Sequence, residues 1–226
     1  MYVLNGTKEL KPGKTWTDDN GVQHPGNWAS VWSNDVKASY GIKEVSIQTK
    51  PDAKFYWVTG PALDGTWTST AKNLDDVKEV DDKGNARLDS EGNQLVTKGL
   101  KSHWITKTKE TANSLLTPTD WQVIAKAERD RAIDSNVATY RAAVITACTA
   151  IEKAITDITD TAIPSDLATI QAKNEEDKTD ADKKVVADYE VEIATKFATF
   201  KALFDTPVDS DGKPTGNAPI HDWPEE

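Results

Sequence analysis

The spacing of apolar residues changes near Lys98, and that change limits what each part of the chain can build. Beyond it, Leu100, Trp104 and Ile105 open a helical segment that closes at Leu115-Leu116. Thr117-Pro118 restarts the chain, with Thr117 as N-cap, Pro118 in the first helical position and Asp120 near the positive end of the dipole. Trp121, Ile124, Ala125, Glu128, Ala132 and Ile133 then recur at helical intervals. Asp134-Ser135 offers another cap, and Val137, Tyr140, Val144, Cys148, Ile151, Ile155 and Ile158 step along one face until Pro164. A short helix is expected over Ser165–Ala172, after which Lys173–Lys184 alternates charge without an apolar face. Val186, Tyr189, Ile193, Phe197, Phe200 and Phe204 form the last stripe, and Pro207 stops it. The tail through Pro214, Pro219 and Pro224 is expected to be extended.

Before Lys98 the chain consists of short apolar runs cut by Gly, Pro, Asn and Asp. Val45-Ser46-Ile47 alternates, Phe55-Tyr56-Trp57-Val58 is aromatic and β-branched, and Gly60-Pro61 ends that run. Asp81-Asp82-Lys83-Gly84-Asn85 and Asp89-Ser90-Glu91-Gly92-Asn93 each place a glycine behind acidic turn formers. The runs 77–80, 86–88 and 94–97 around them read as hairpin arms. A third copy is Asp209-Ser210-Asp211-Gly212. It resembles the start of a calcium loop, but the continuation to a bidentate Glu is missing, so it reads as a tight turn.

The formal net charge of -10 repels a phosphate backbone and an anionic bilayer, so neither nucleic acid nor membrane is an expected partner. Met1 to Gly6 turns polar at once and no apolar run reaches the length of a span, so synthesis and first residence in a cytoplasm are expected. The single cysteine, Cys148, excludes an intrachain disulfide and reads as a small buried hydrophobe. His24, His103 and His221 are isolated, with no partner at metal-ligand spacing. No phosphate loop, nucleophile elbow or HExxH occurs. The expectation is a protein without catalytic residues, metal or cofactor.

The first half holds Trp16, Trp28, Trp32, Tyr40, Tyr56, Trp57 and Trp67, which admit two readings. They fill the core of a small domain poor in Leu and Ile, or they form a face on which sugar rings stack. The helical stripes are similarly ambiguous, because packing within the chain and docking on another chain ask for the same pattern.

Two stretches resemble known phage proteins. Leu115-Leu116-Thr117-Pro118-Thr119-Asp120-Trp121, followed by Ala127-Glu128-Arg129-Asp130-Arg131 and Tyr140-Arg141, resembles the motif of the phage tail assembly chaperone family. Asp222-Trp223-Pro224 is similar to the Trp-Pro tail in which that family often ends. Thr15 to Trp28, with Trp32-Ser33 and Gly41-Ile42 beyond, resembles openings of phage tail-associated proteins. The long Ala/Thr/Ile helix and the Lys173–Lys184 stretch depart from the small chaperones.

The expectation is an α+β protein in three parts: a small Trp-rich, β-rich region over 1–97, a helical hairpin or bundle of three to five helices over 98–206, and a Pro-rich tail over 207–226. The resemblance implies a non-enzymatic virion protein of a phage tail, working by protein–protein docking in the host cytoplasm during assembly and then in the particle. A transient chaperone and a glycan-binding module of a tail fibre are the alternatives. Other tail or tail-fibre proteins are the expected partners, with self-association a further option. Trp121, Tyr140, Arg141, Phe197, Phe200, Phe204 and Trp223 are the candidate partner-binding residues. Within the motif, Trp121 is expected to set the angle between helices, and Arg141 to lie solvated or in a surface pair.

Overall fold

The computed structural model describes residues 1–225. The fold is α+β: small antiparallel sheets occupy roughly the first hundred residues and helices the rest. By packing, the chain forms two compact units, Met1–Lys72 and Asn73–Glu226. The hairpin segment over 77–97 therefore belongs with the helices, although its composition groups it with the first half.

In the first unit, β1 (Tyr2–Leu4) lies between β2 (Lys8–Leu10) and β5 (Ile42–Glu44), antiparallel to both. A second hairpin pairs β3 (Trp16–Thr17) with β4 (Gln23–His24), and two short helices follow, α1 (Trp28–Val31) and α2 (Asn34–Ser39). Leu4, Leu10, Trp16, Trp28 and Ile42 make the core, with Tyr2, Ala29 and Trp32 packed against it. Trp28 is fully buried and its indole N–H donates to the Lys14 carbonyl at 3.2 Å, so the large ring leaves no polar atom unmet. The core-filling reading thus holds for Trp16 and Trp28. It fails for Trp57, which stands exposed on the third hairpin, β6 (Tyr56–Thr59) with β7 (Thr68–Ala71).

The Asp-x-x-Gly turn occurs four times, the fourth at Asp18 to Val22. At Asp18, Asp81, Asp89 and Asp209 the carboxylate Oδ1 accepts from the backbone N–H groups two and four residues on, all at 2.8–2.9 Å. The Asp carbonyl accepts from the glycine N–H, and the Asp N–H donates to the carbonyl four residues on. The glycines carry φ of 76–86°, a conformation that costs other residues about 1–2 kcal/mol. These carboxylates are occupied by their own turns, which explains the pattern without an ion.

Two of these turns stand in a row, and the arms between them close into a ring. Arg87 N–H donates to the Glu79 carbonyl at 3.0 Å, Leu95 N–H to the Arg87 carbonyl at 2.8 Å, and Glu79 N–H to the Leu95 carbonyl at 2.8 Å. β8 (Val77–Lys78) and β9 (Val96–Thr97) extend the ring on one side, with bridges Val80–Ala86 and Leu88–Gln94 on the others. The three segments therefore form a triangle of mutually bonded arms, repeating every eight residues.

The helices of the second unit are α3 (Leu100–Leu116), α4 (Asp120–Arg129), α5 (Ser135–Thr156), α6 (Leu167–Gln171) and α7 (Asp180–Ala202). α3 has no side chain cap; its first N–H groups, at Leu100 and Lys101, donate to the carbonyls of Asn73 and Leu74 at 2.9 and 3.1 Å. Gly99 permits this approach, since a Cβ there would lie 2.4 Å from the Asp75 carbonyl oxygen. α3 packs along α5, and α6 against α7. Val144, Ile151, Ile155, Leu167, Ile170, Phe197, Phe200 and Ile220 are buried. Lys101, also buried, pairs with Asp75 at 2.5 Å and with Asp160, and donates to the Ile158 carbonyl at 3.0 Å. Burial opposes its charge, but the bonds from Asp160 and Asp75 outweigh that and raise its pKa.

Further features differ from expectation. α4 ends at Arg129, with Asp130 in a left-handed conformation, so Ala132 and Ile133, expected on that helix, lie beyond it. α7 begins at Asp180, inside the charged stretch, because Thr179 and Asp182 form a capping box: the Thr179 hydroxyl accepts from Asp182 N–H at 3.2 Å and Asp182 Oδ2 accepts from Thr179 N–H at 2.9 Å. α5 ends at Thr156, well before Pro164. The C-terminal segment is not simply extended. Val208 bridges to Pro214, Thr215 N–H donates to the Pro207 carbonyl, and Ile220 N–H donates to the Leu203 carbonyl at 3.0 Å beside a 3-10 turn at Pro219–His221.

Candidate functional site

The motif that carries the family resemblance folds into a corner. α3 runs out at Leu116, a 3-10 turn covers Thr117–Thr119, and α4 begins at Asp120. Thr117 is not the cap expected of it: its hydroxyl donates back to the Asn113 carbonyl of α3 at 2.7 Å. The corner is held by Arg141, which reaches over from α5. Its Nη1 donates to the Leu116 carbonyl at 2.8 Å and the Thr119 hydroxyl at 2.7 Å, and lies 2.9 Å from Asp120 Oδ1. Only 16% of the Arg141 side chain is exposed; of the two expectations, solvated or in a surface pair, it is the pair that is found, with Asp120, joined by the bonds to Leu116 and Thr119. All three contacts are made by one nitrogen, Nη1.

A second clasp lies in the first turn of α4. Gln122 Nε2 donates to Asp134 Oδ2 at 3.0 Å, and Asp134 N–H donates to Gln122 Oε1 at 2.9 Å. Asp134 holds the N-cap position of α5, but its side chain is engaged by Gln122 and caps nothing. α4 is thus fixed at its N-terminal end, by Arg141 and by Gln122, and its main packing contact is with the turn that leads into it.

Its apolar residues are left open. Trp121 is 52% exposed and Ile124 54%, one helical turn apart, with Val123 beside them. The Arg131 guanidinium lies 5.4 Å above the Trp121 ring. Trp121 thus stands about half exposed, beside the first turn that Arg141 holds. An amphipathic helix normally turns such residues to a core, so this face has the character of a contact surface.

The other expected residues divide. Phe200 is fully buried and Phe197 nearly so, while Phe204 is half-buried with its ring 4.6 Å from that of Trp104. These three belong to the interior of the second unit. Tyr140 is half-buried. Trp223 is also half-buried and helps line a groove of about 630 Å³ with Pro219, Asp222, Pro224 and the small residues Ala143, Ala147 and Ala150 of α5. The alanine spacing was legible, but that the tail returns to lie along it was not.

In the first unit, His24 sits among Trp16, Trp32 and Tyr40. It stacks on Trp16 at 4.4 Å, meets Trp32 and Tyr40 edge-on, and places Nε2 3.1 Å from Asp18 Oδ2. The Val22 N–H, and then His24, hold the Asp18 carboxyl below the usual range. Cys148 is half-buried, with Sγ 3.2 Å from Glu152 Oε1, and its pKa is pushed up to about 11 by burial and that carboxylate, so it is a poor nucleophile. No group of three His, Cys, Asp or Glu side chains able to hold a metal occurs among the described residues. No helix among them is long and apolar enough to cross a membrane.

Comparison with family models, with curated proteins and with solved structures finds no match. The site is therefore argued from its geometry.

Proposed function

We propose that the chain is a non-enzymatic protein of a phage tail that docks another tail or tail-fibre protein on the outward face of α4. The observation that carries the reading is the exposure of Trp121 and Ile124 on a helix whose first turn is held by two polar clasps. Fixing the helix beforehand lowers the ordering cost of association, and an exposed Trp with an aliphatic neighbour has the chemistry of an interface anchor. The family-like motif coincides with this corner: Leu116, Thr119 and Asp120 receive Arg141, and Trp121 projects. The net charge of -10 favours a basic or neutral partner surface.

The test is co-purification with the tail and tail-fibre proteins encoded beside it, using the full chain and its Ile124→Asp variant. A tail protein that binds the parent and releases the variant supports the reading. Failure to retain any of them, or equal binding by the variant, overturns it. Mass spectrometry of purified particles then separates a virion component, present in them, from a transient chaperone, absent from them.

A further inference from the structure

The β6–β7 hairpin presents a face whose composition departs from that of the rest of the chain. The antiparallel register pairs Trp57 with Thr70 and Thr59 with Thr68, so these four side chains share one side, and alternation adds Lys72. Trp57 is 67% exposed, and Thr59, Thr68 and Thr70 are exposed too. The Lys72 ammonium stands 4.7 Å from the Trp57 ring centre and donates to the Ala53 carbonyl at 2.7 Å. That bond uses one of its three N–H donors and fixes the cation over one face of the indole, so a sugar ring stacks on the other. No acid occupies this face, in a chain with 37 of them.

We propose that this face binds a sugar residue bearing a carboxylate. The flat indole matches the apolar C–H side of a pyranose ring, and three threonine hydroxyls can donate to and accept from sugar hydroxyls. Lys72 supplies the charge complement to a carboxylate at the edge of the ring. The face is shallow and hydroxyl-rich, which suits a saccharide better than a peptide side chain seeking a pocket. This activity lies in the first unit and does not depend on the docking role of α4.

The test is a glycan array carrying uronic- and sialic-acid oligosaccharides beside their neutral counterparts, probed with the full chain and with Trp57→Ala and Lys72→Gln variants. Acidic glycans are expected to bind above neutral ones, Trp57→Ala to lose that binding, and Lys72→Gln to weaken it about fivefold and erase the preference for acid. Unchanged melting temperatures verify that both variants fold, as the exposure of Trp57 leads one to expect. The proposal is overturned if no acidic glycan binds, if neutral glycans bind equally well, or if Trp57→Ala binds like the parent.

Discussion

Arg141 and Asp120 lie 2.9 Å apart across the corner between α3 and α4, and the same guanidinium accounts for two further acceptors there. The helix that carries the exposed Trp121 is therefore positioned by a residue of α5, not by its own packing.

Arg141→Met should destabilise the second unit by about 1–2 kcal/mol, because it strands the Leu116 carbonyl, whereas the half-exposed Asp120 stays hydrated. Arg141→Lys should recover only part of this, since the shorter, more strongly hydrated ammonium must reach the place of Nη1. Urea unfolding monitored by circular dichroism checks both; a loss under about 0.5 kcal/mol for the Met variant would show that the corner stands without its pin.

Ile124→Asp should leave stability within about 0.5 kcal/mol of the parent, as expected where a side chain is already exposed. The same variant should lose its tail partner. Thermal melts and co-purification, run side by side, read the two effects separately.

Gly99→Ala should cost about 1–3 kcal/mol, since its Cβ would press on the Asp75 backbone, which cannot yield as a flexible side chain would. Gly84→Ala should cost about 1 kcal/mol, for a different reason: nothing lies within 4 Å, and only the left-handed backbone resists. Gly84→Asn should be milder. Denaturant midpoints order the three.

Lowering pH should loosen the start of α7. The Lys173 ammonium, and then the Thr179 N–H and hydroxyl, lower the Asp182 pKa from an ordinary 3.8 to about 2. The contribution of this carboxylate is fully present above about pH 4 and is lost as pH falls through about 2. Hydrogen exchange over residues 180–186 should quicken across that window in the parent and not in Asp182→Asn, which should exchange quickly throughout.

The helical half was largely legible in the sequence, because residues such as Val144, Ile151, Ile155 and Phe200 recur at one period and are buried together. The same periodicity placed Trp121 and Ile124 on a face without saying whether anything covers it. Here both stay about half exposed, with the Arg131 guanidinium over the Trp121 ring, whereas the equally periodic Phe197 and Phe200 are interior. The beginning of α7 was masked by composition: Lys173–Lys184 shows no apolar stripe, although Thr179 and Asp182 already stand at capping-box spacing. A surface pair was one of the two expectations for Arg141, but its partners were not legible, because they lie 21 to 25 residues away. The Asp-Gly turns were recognisable one by one, but the way their arms join was not, since short arms carry no pattern that selects a partner.

The triangle of Glu79, Arg87 and Leu95 is a cycle, and a cycle has no free end. Stacked arrays lengthen by adding copies, each satisfied by the last. Here each arm both gives and receives, so deleting residues 81–88 as one whole period would remove the middle arm and leave the Glu79 carbonyl and the Leu95 N–H without the partners that Arg87 supplies. The circuit would shrink from a triangle to a plain pair of arms, a different structure and not a shorter copy of the same one.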